Sequence, residues 1–131
     1  MQAIASIDSP YDLTAEQIQR FREDGFIRLP GVFDADTITE YGREVTRLTD
    51  AANKLAGVPM EQRSLYDRAF VQVMNLWRQS DKARAFTFSR RLARLAAQLL
   101  GVSGVRLWHD QALFKEPGGG FTPWHQDQFY W

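Results

Sequence analysis

The sequence predicts an α+β protein, with a helical N-terminal part followed by strands. Three observations carry this. Behind each of several candidate N-caps, apolar residues recur three and four apart, the period of one helix face. From Val105 onward the pattern changes to alternation, the period of a strand. Between two extended stretches stands Lys115-Glu116-Pro117-Gly118-Gly119-Gly120, a turn-forming run of proline and glycines.

Taken in order, Met1 to Asp12 shows no periodicity and is expected as a loosely held lead-in. Thr14 is placed to cap a helix, with Gln17 as its capping-box partner, Leu13 and Ile18 as a hydrophobic staple, and Gly25 to end it. Phe26-Ile27-Arg28-Leu29 then reads as a short strand closed by Pro30-Gly31. Asp34 caps a second helix, with Phe33 and Ile38 as its staple. Its stripe of Ile38, Tyr41, Val45, Leu48, Ala52 and Leu55 is stopped by Gly57-Val58-Pro59. That stripe is too short for a coiled coil, and packing against the back of a sheet is the more economical account.

From Glu61 to Gln79 the residues Leu65, Ala69, Phe70, Val73, Met74 and Trp77 fall at helical spacing, so a well-buried third helix is expected there. Ser80-Asp81 opens a short helix to Phe86, and Ser89 caps a last one from Arg90 to Leu100 that Gly101 ends. Arg78, Lys82, Arg84, Arg90, Arg91 and Arg94 cluster against the single acid Asp81, which suits either solvated helix faces or attraction of an anionic substrate. Val105 to Lys115 reads as a long strand, with His109, Gln111 and Lys115 on one face and Asp110, Ala112 and Phe114 on the other. A second long strand runs from Thr122 to Trp131. The domain division is therefore a lead-in at 1–12, a mainly helical part at 13–104 with the short strand at 26–29, and strands at 105–131.

Composition bounds the function. The 131 residues make one domain or part of one, with 44% apolar content and a formal net charge of zero. Nothing global suggests nucleic acid, no apolar run is long enough to span a bilayer, and the start lacks the character of a signal peptide. The chain has no cysteine, so disulfides and thiolate metal sites are excluded, and a cytoplasmic location is the default expectation.

The chemistry concentrates in Thr122-Pro123-Trp124-His125-Gln126-Asp127. On a strand, His125 and Asp127 project from one face about 6–7 Å apart along the backbone, so both can reach one ion. An imidazole beside a carboxylate suits a divalent transition metal and supplies two corners of a facial triad. His109, the only other histidine, shares the face of Gln111, so geometry does not exclude it as a third ligand.

Around these residues the sequence resembles the phytanoyl-CoA dioxygenase family of Fe(II)/2-oxoglutarate oxygenases. The resemblance rests on His109-Asp110-Gln111, on Phe114-Lys115-Glu116-Pro117-Gly118, and on Thr122 through Asp127 followed by Tyr130-Trp131. It reaches back through Gly25-Phe26-Ile27 and Pro30-Gly31-Val32-Phe33. It implies the first strands of a double-stranded β-helix of the jelly-roll or cupin-like kind. It also implies Fe(II) at His125 and Asp127, 2-oxoglutarate as cosubstrate near Gln111 and Lys115, dioxygen, ascorbate as an auxiliary, and a small-molecule substrate. The helix of residues 61–79 would border the active-site mouth, where Asn75 and Trp77 could meet substrate. Asp127, where halogenating relatives carry a small residue, favours hydroxylation. The resemblance places the third histidine on a late strand instead of at His109, together with an arginine for the far carboxylate of 2-oxoglutarate.

Two long strands cannot close an eight-stranded barrel, so these 131 residues are expected to represent the N-terminal portion of such an enzyme. The other reading is a catalytically inactive truncated fragment or interaction module with weak metal binding. Either way, uncovered strands predict self-association.

Overall fold

A helix begins where a side chain can satisfy its unpartnered N–H groups, and in the computed structural model, which describes residues 7–127, five helices begin on such a residue. Thr14 and Gln17 form the expected capping box at the head of α1 (Ala15–Asp24), and Gly25 ends it in the left-handed conformation at φ 78°. Asp34 opens α2 (Ala35–Ala52) by accepting the Thr37 amide at 2.7 Å, a bond that holds its carboxyl below the ordinary range. Ser80 caps α4 (Asp81–Thr87), and Ser89 caps α5 (Arg90–Leu100), which Gly101 ends. Phe33 stacks on Phe86 of α4, with ring centroids 5.1 Å apart, while its expected staple partner Ile38 is half exposed.

The second helix stops earlier than its apolar stripe. Asn53 leaves the helical region and its side chain accepts the Leu55 amide at 2.9 Å, an Asx turn that ends α2 at Ala52, short of the predicted stop at Gly57-Val58-Pro59. Leu55 still packs on the core from that turn.

The largest correction lies at residues 61–79. In place of one helix the chain forms a 3₁₀ turn at Met60–Gln62, the short α3 (Leu65–Ala69), strand β1 (Val71–Met74) and a second 3₁₀ turn at Leu76–Arg78. Phe70 is fully extended, and Val71 and Val73 are both buried while Met74 is exposed, which is the two-residue period of a strand. The β-branched valines favour a pleated surface, and pairing with β2 (Gln111–Phe114) supplies the hydrogen bonds that a helix would have made locally.

The sheet is antiparallel and two-stranded, with Val71 opposite Phe114 and Met74 opposite Gln111. Its inner face, Val71, Val73 and Ala112, packs with Leu48, Leu76 and Ala83, and Val45, Ala52, Leu55 and Phe114 close the edges. The α2 stripe thus covers the back of a sheet, as its length suggested. The outer face carries Gln72, Met74, Gln111 and Leu113.

Three predicted strands are shorter than predicted or missing. Phe26-Ile27-Arg28-Leu29 forms no strand, and Phe26 is exposed, because no described segment offers it a ladder partner. Of Val105 to Lys115 only Gln111–Phe114 is strand, since β1 is four residues long and pairing goes no further. Residues 122–127 form no strand either, and the rest of that prediction, at 128–131, lies outside the described residues. Among the described residues there is accordingly one small sheet and no barrel.

The lead-in is fastened rather than loose in its described part. The Ser89 hydroxyl donates to the Ile7 carbonyl at 2.9 Å, and the Arg90 amide to the Asp8 carboxylate at 2.7 Å. The buried Arg91 guanidinium donates to the carbonyls of Ser9 and Val32. Much of the basic cluster is committed in this way. Arg91 ties chain segments together, Lys82 pairs with Glu40 at 2.7 Å, and Arg78 and Arg84 both stack on the Trp77 ring. No described helix is long and apolar enough to cross a membrane.

Candidate metal centre

Beyond β2 the chain must turn sharply, and the turn is braced from the helical side. Gly118 takes φ +73°, open to glycine at little cost. Gly119 admits no side chain, because a Cβ there would meet the Arg68 carbonyl oxygen at 2.7 Å and that of Glu116 at 2.9 Å. This close approach lets the Gly120 amide donate to the Arg68 carbonyl at 2.6 Å. Arg63, its side chain only 7% exposed, forms an ion pair with Glu116 and also donates to the carbonyls of Val58 and Leu55, at 3.0 and 3.3 Å. Lys115 spans the turn from its other side, its ammonium donating to Thr122 Oγ1 at 2.8 Å and to the Gly120 carbonyl at 3.2 Å.

This braced turn delivers His125 and Asp127 together. The Pro123 carbonyl, 2.9 Å from His125 Nδ1, can only accept, which favours the tautomer protonated on Nδ1 with its lone pair on Nε2. Nε2 lies 3.3 Å from Asp127 Oδ1. At this spacing an imidazole nitrogen and a carboxylate oxygen can share a cation, either a proton or a metal ion. Donors at about 2.1 Å from one ion, set at right angles, stand about 3.0 Å apart, within a few tenths of an ångström of the observed spacing. The donor set therefore fits a divalent metal, and both side chains are open to solvent. Among the described residues no third His, Cys, Asp or Glu joins them, so His109 does not complete a cluster.

The cosubstrate candidates stand on the outer face of the sheet. Gln111 accepts a hydrogen bond from Gln72 Nε2, and Gln72 Oε1 in turn accepts from the Tyr66 hydroxyl at 2.6 Å. Lys115 extends the same face, its ammonium 5.6 Å from the centre of the Phe70 ring.

Asn75 and Trp77 are held for structural reasons. Asn75 adopts φ 58°, its side chain accepts from Trp77 Nε1 at 3.2 Å, and the turn they start is gripped by Asp110. One Asp110 carboxylate accepts the Leu76 amide at 2.8 Å, the Trp77 amide at 3.0 Å and the Thr87 hydroxyl at 3.0 Å. Asp110→Ala would strand three donors and is expected to cost about 2 kcal/mol or more in urea denaturation, with Asp110→Asn milder. Equal stability of Asp110→Ala and the parent chain would refute this role.

Sequence reasoning missed Arg63, Arg68 and Glu116 as braces and Tyr66 and Gln72 as neighbours of Gln111. The alternation in Val71-Gln72-Val73-Met74 was the one signal that could have revealed the strand and its outward glutamine.

These elements define an α+β protein in which a helical layer backs a small antiparallel sheet and a braced turn carries a histidine–carboxylate pair. The chain belongs to the phytanoyl-CoA dioxygenase family, whose model, described as Phytanoyl-CoA dioxygenase (PhyH), matches residues 21–131. Membership makes it kin to the Fe(II)/2-oxoglutarate dioxygenases. No curated protein and no solved structure gives a significant match.

Proposed function

We propose that this chain carries the iron-binding and cosubstrate-facing portion of an Fe(II)/2-oxoglutarate dioxygenase that hydroxylates a small organic molecule. The observation that supports this most is the convergence of His125 Nε2 and Asp127 Oδ1 at 3.3 Å, with Nδ1 occupied by a carbonyl. His125 and Asp127 would hold Fe(II), and the Pro123 carbonyl would keep the imidazole in the ligating tautomer. When bound, iron and 2-oxoglutarate supply the activation of dioxygen. The chain's own residues bind and orient. Gln111 offers an amide to the cosubstrate carboxylate, and Lys115 a cation once it exchanges the Thr122 hydroxyl for that ligand. The braced turn holds the segment that carries His125 and Asp127, and a shift of about 1 Å in such a site can cost about a hundredfold in rate.

The assay is succinate release under air with Fe(II), 2-oxoglutarate and ascorbate. Residues 1–131 alone supply two paired ligands and are expected to release none. Turnover is expected when a segment bearing a further histidine and an arginine is appended or co-expressed, and it should vanish in Asp127→Ala. Turnover that survives Asp127→Ala would refute the reading.

An interaction role is a second reading, favoured by exposed apolar side chains at Leu107, Trp108, Leu113, Phe121 and Trp124 and by a sheet with only two strands among the described residues. Residues 1–131 are expected to self-associate in a concentration-dependent manner by light scattering. A monodisperse monomer across the accessible concentration range would count against it.

A further inference from the structure

We propose that Tyr66 and Gln72 are positioning residues that hold the Gln111 carboxamide with its NH₂ group outward, as a donor for the 2-oxoglutarate carboxylate; the proposal rests on the reading of Gln111 as a cosubstrate contact. A carboxamide has one accepting and one donating end, and a carboxylate binds only the second. Which end of Gln111 faces a ligand is therefore a functional variable.

The register decides who can set it. Gln72 stands opposite Leu113 and Met74 opposite Gln111, so Gln72 and Gln111 are diagonal neighbours on the outer face, within reach of long side chains. Gln72 Nε2 donates to Gln111 Oε1, which engages the accepting end and leaves the donating end for a ligand. Gln72 is itself oriented, because the Tyr66 hydroxyl donates to its Oε1 at 2.6 Å. As placed, the relay runs from phenol to amide to amide.

Tyr66 is fixed in turn by an edge-on contact with Phe70, centroids 5.2 Å apart, and Phe70 also lies 5.6 Å from the Lys115 ammonium. One aromatic ring thus supports both cosubstrate contacts. The ordering of a flexible glutamine is completed before the ligand arrives, which is how preorganisation raises affinity.

Two measurements test the relay. In the isotope-labelled chain of residues 1–131, the Gln111 side-chain NH₂ resonances should move toward free-amide values in Gln72→Leu and, less, in Tyr66→Phe, which keeps its ring on Phe70. In the protein that carries this sequence, loaded with Mn(II), calorimetric titration with 2-oxoglutarate should show about a fivefold weakening in Gln72→Leu and in Gln111→Leu. The double variant should bind no worse than Gln111→Leu alone, because Gln72 acts only through Gln111. Unmoved Gln111 resonances, or losses that add in the double variant, would overturn the relay while leaving Gln111 as a cosubstrate contact. Unchanged affinity in Gln111→Leu would instead remove the cosubstrate reading, and the relay's function with it.

Discussion

Asp127→Ala is expected to abolish Mn(II) binding by residues 1–131, and His125→Ala to do the same. The wild-type chain should bind weakly, because two protein donors leave most of the coordination shell to water. Of those two donors, Asp127 brings the negative charge that offsets the ion, and its loss leaves one neutral imidazole at an exposed position. Removing even a group that merely orients a metal ligand costs about 10–100-fold in affinity, so removing a ligand from a pair should cost more than about 100-fold. Isothermal calorimetry with Mn(II) reads this directly. Equal affinity in the parent and Asp127→Ala chains would show that the 3.3 Å contact is an ordinary histidine–aspartate ion pair and no metal centre.

The largest loss of stability is expected from Arg63→Met. Its guanidinium joins three segments: the turn after α2 through Leu55 and Val58, the connection into α3, and Glu116 in the glycine turn. Methionine keeps the bulk and removes every donor, which leaves two carbonyls and a carboxylate short of partners. Breaking a buried ion pair costs about 3–5 kcal/mol, and Glu116, its side chain 35% exposed, regains some water, so about 2–3 kcal/mol is expected. Lysine lacks the planar fork and should recover only part of the loss. Urea denaturation of the two variants provides the comparison. A cost below about 0.5 kcal/mol for Arg63→Met would place this pair among surface ion pairs of little consequence.

The brace also bears on the metal centre, since Glu116 stands at the start of the turn that carries His125 and Asp127. Its partner Arg63 is 53 residues away in the chain, and no local pattern announces the pair. The same separation hides Asp110, whose carboxylate starts a 3₁₀ turn more than thirty residues upstream. Nothing within a few residues of either acid marks the partner it holds. His125 and Asp127, two residues apart, were legible as a candidate pair from their residue types and spacing, but they meet at 3.3 Å without the strand expected to hold them.

What the sequence by itself determined are the features that depend on contacts within a few residues. The capping box of Thr14 and Gln17, the Asp34 cap, and α5 running from Ser89 to Gly101 stand where they were predicted, because caps and terminal glycines satisfy the nearest free N–H and C=O groups. The alternation of Gln111 and Leu113 against Ala112 and Phe114 belongs with them. Only the tertiary structure decided between helix and strand at Val71–Met74, where apolar residues fit both periods and the choice fell to the partner that β2 provides. It likewise withheld a strand from Phe26-Ile27-Arg28-Leu29, which has suitable residues and no described partner. A helix finds its hydrogen bonds within its own segment, whereas a strand must borrow them from a distant one, so strands and long-range ion pairs are settled only when the chain has folded.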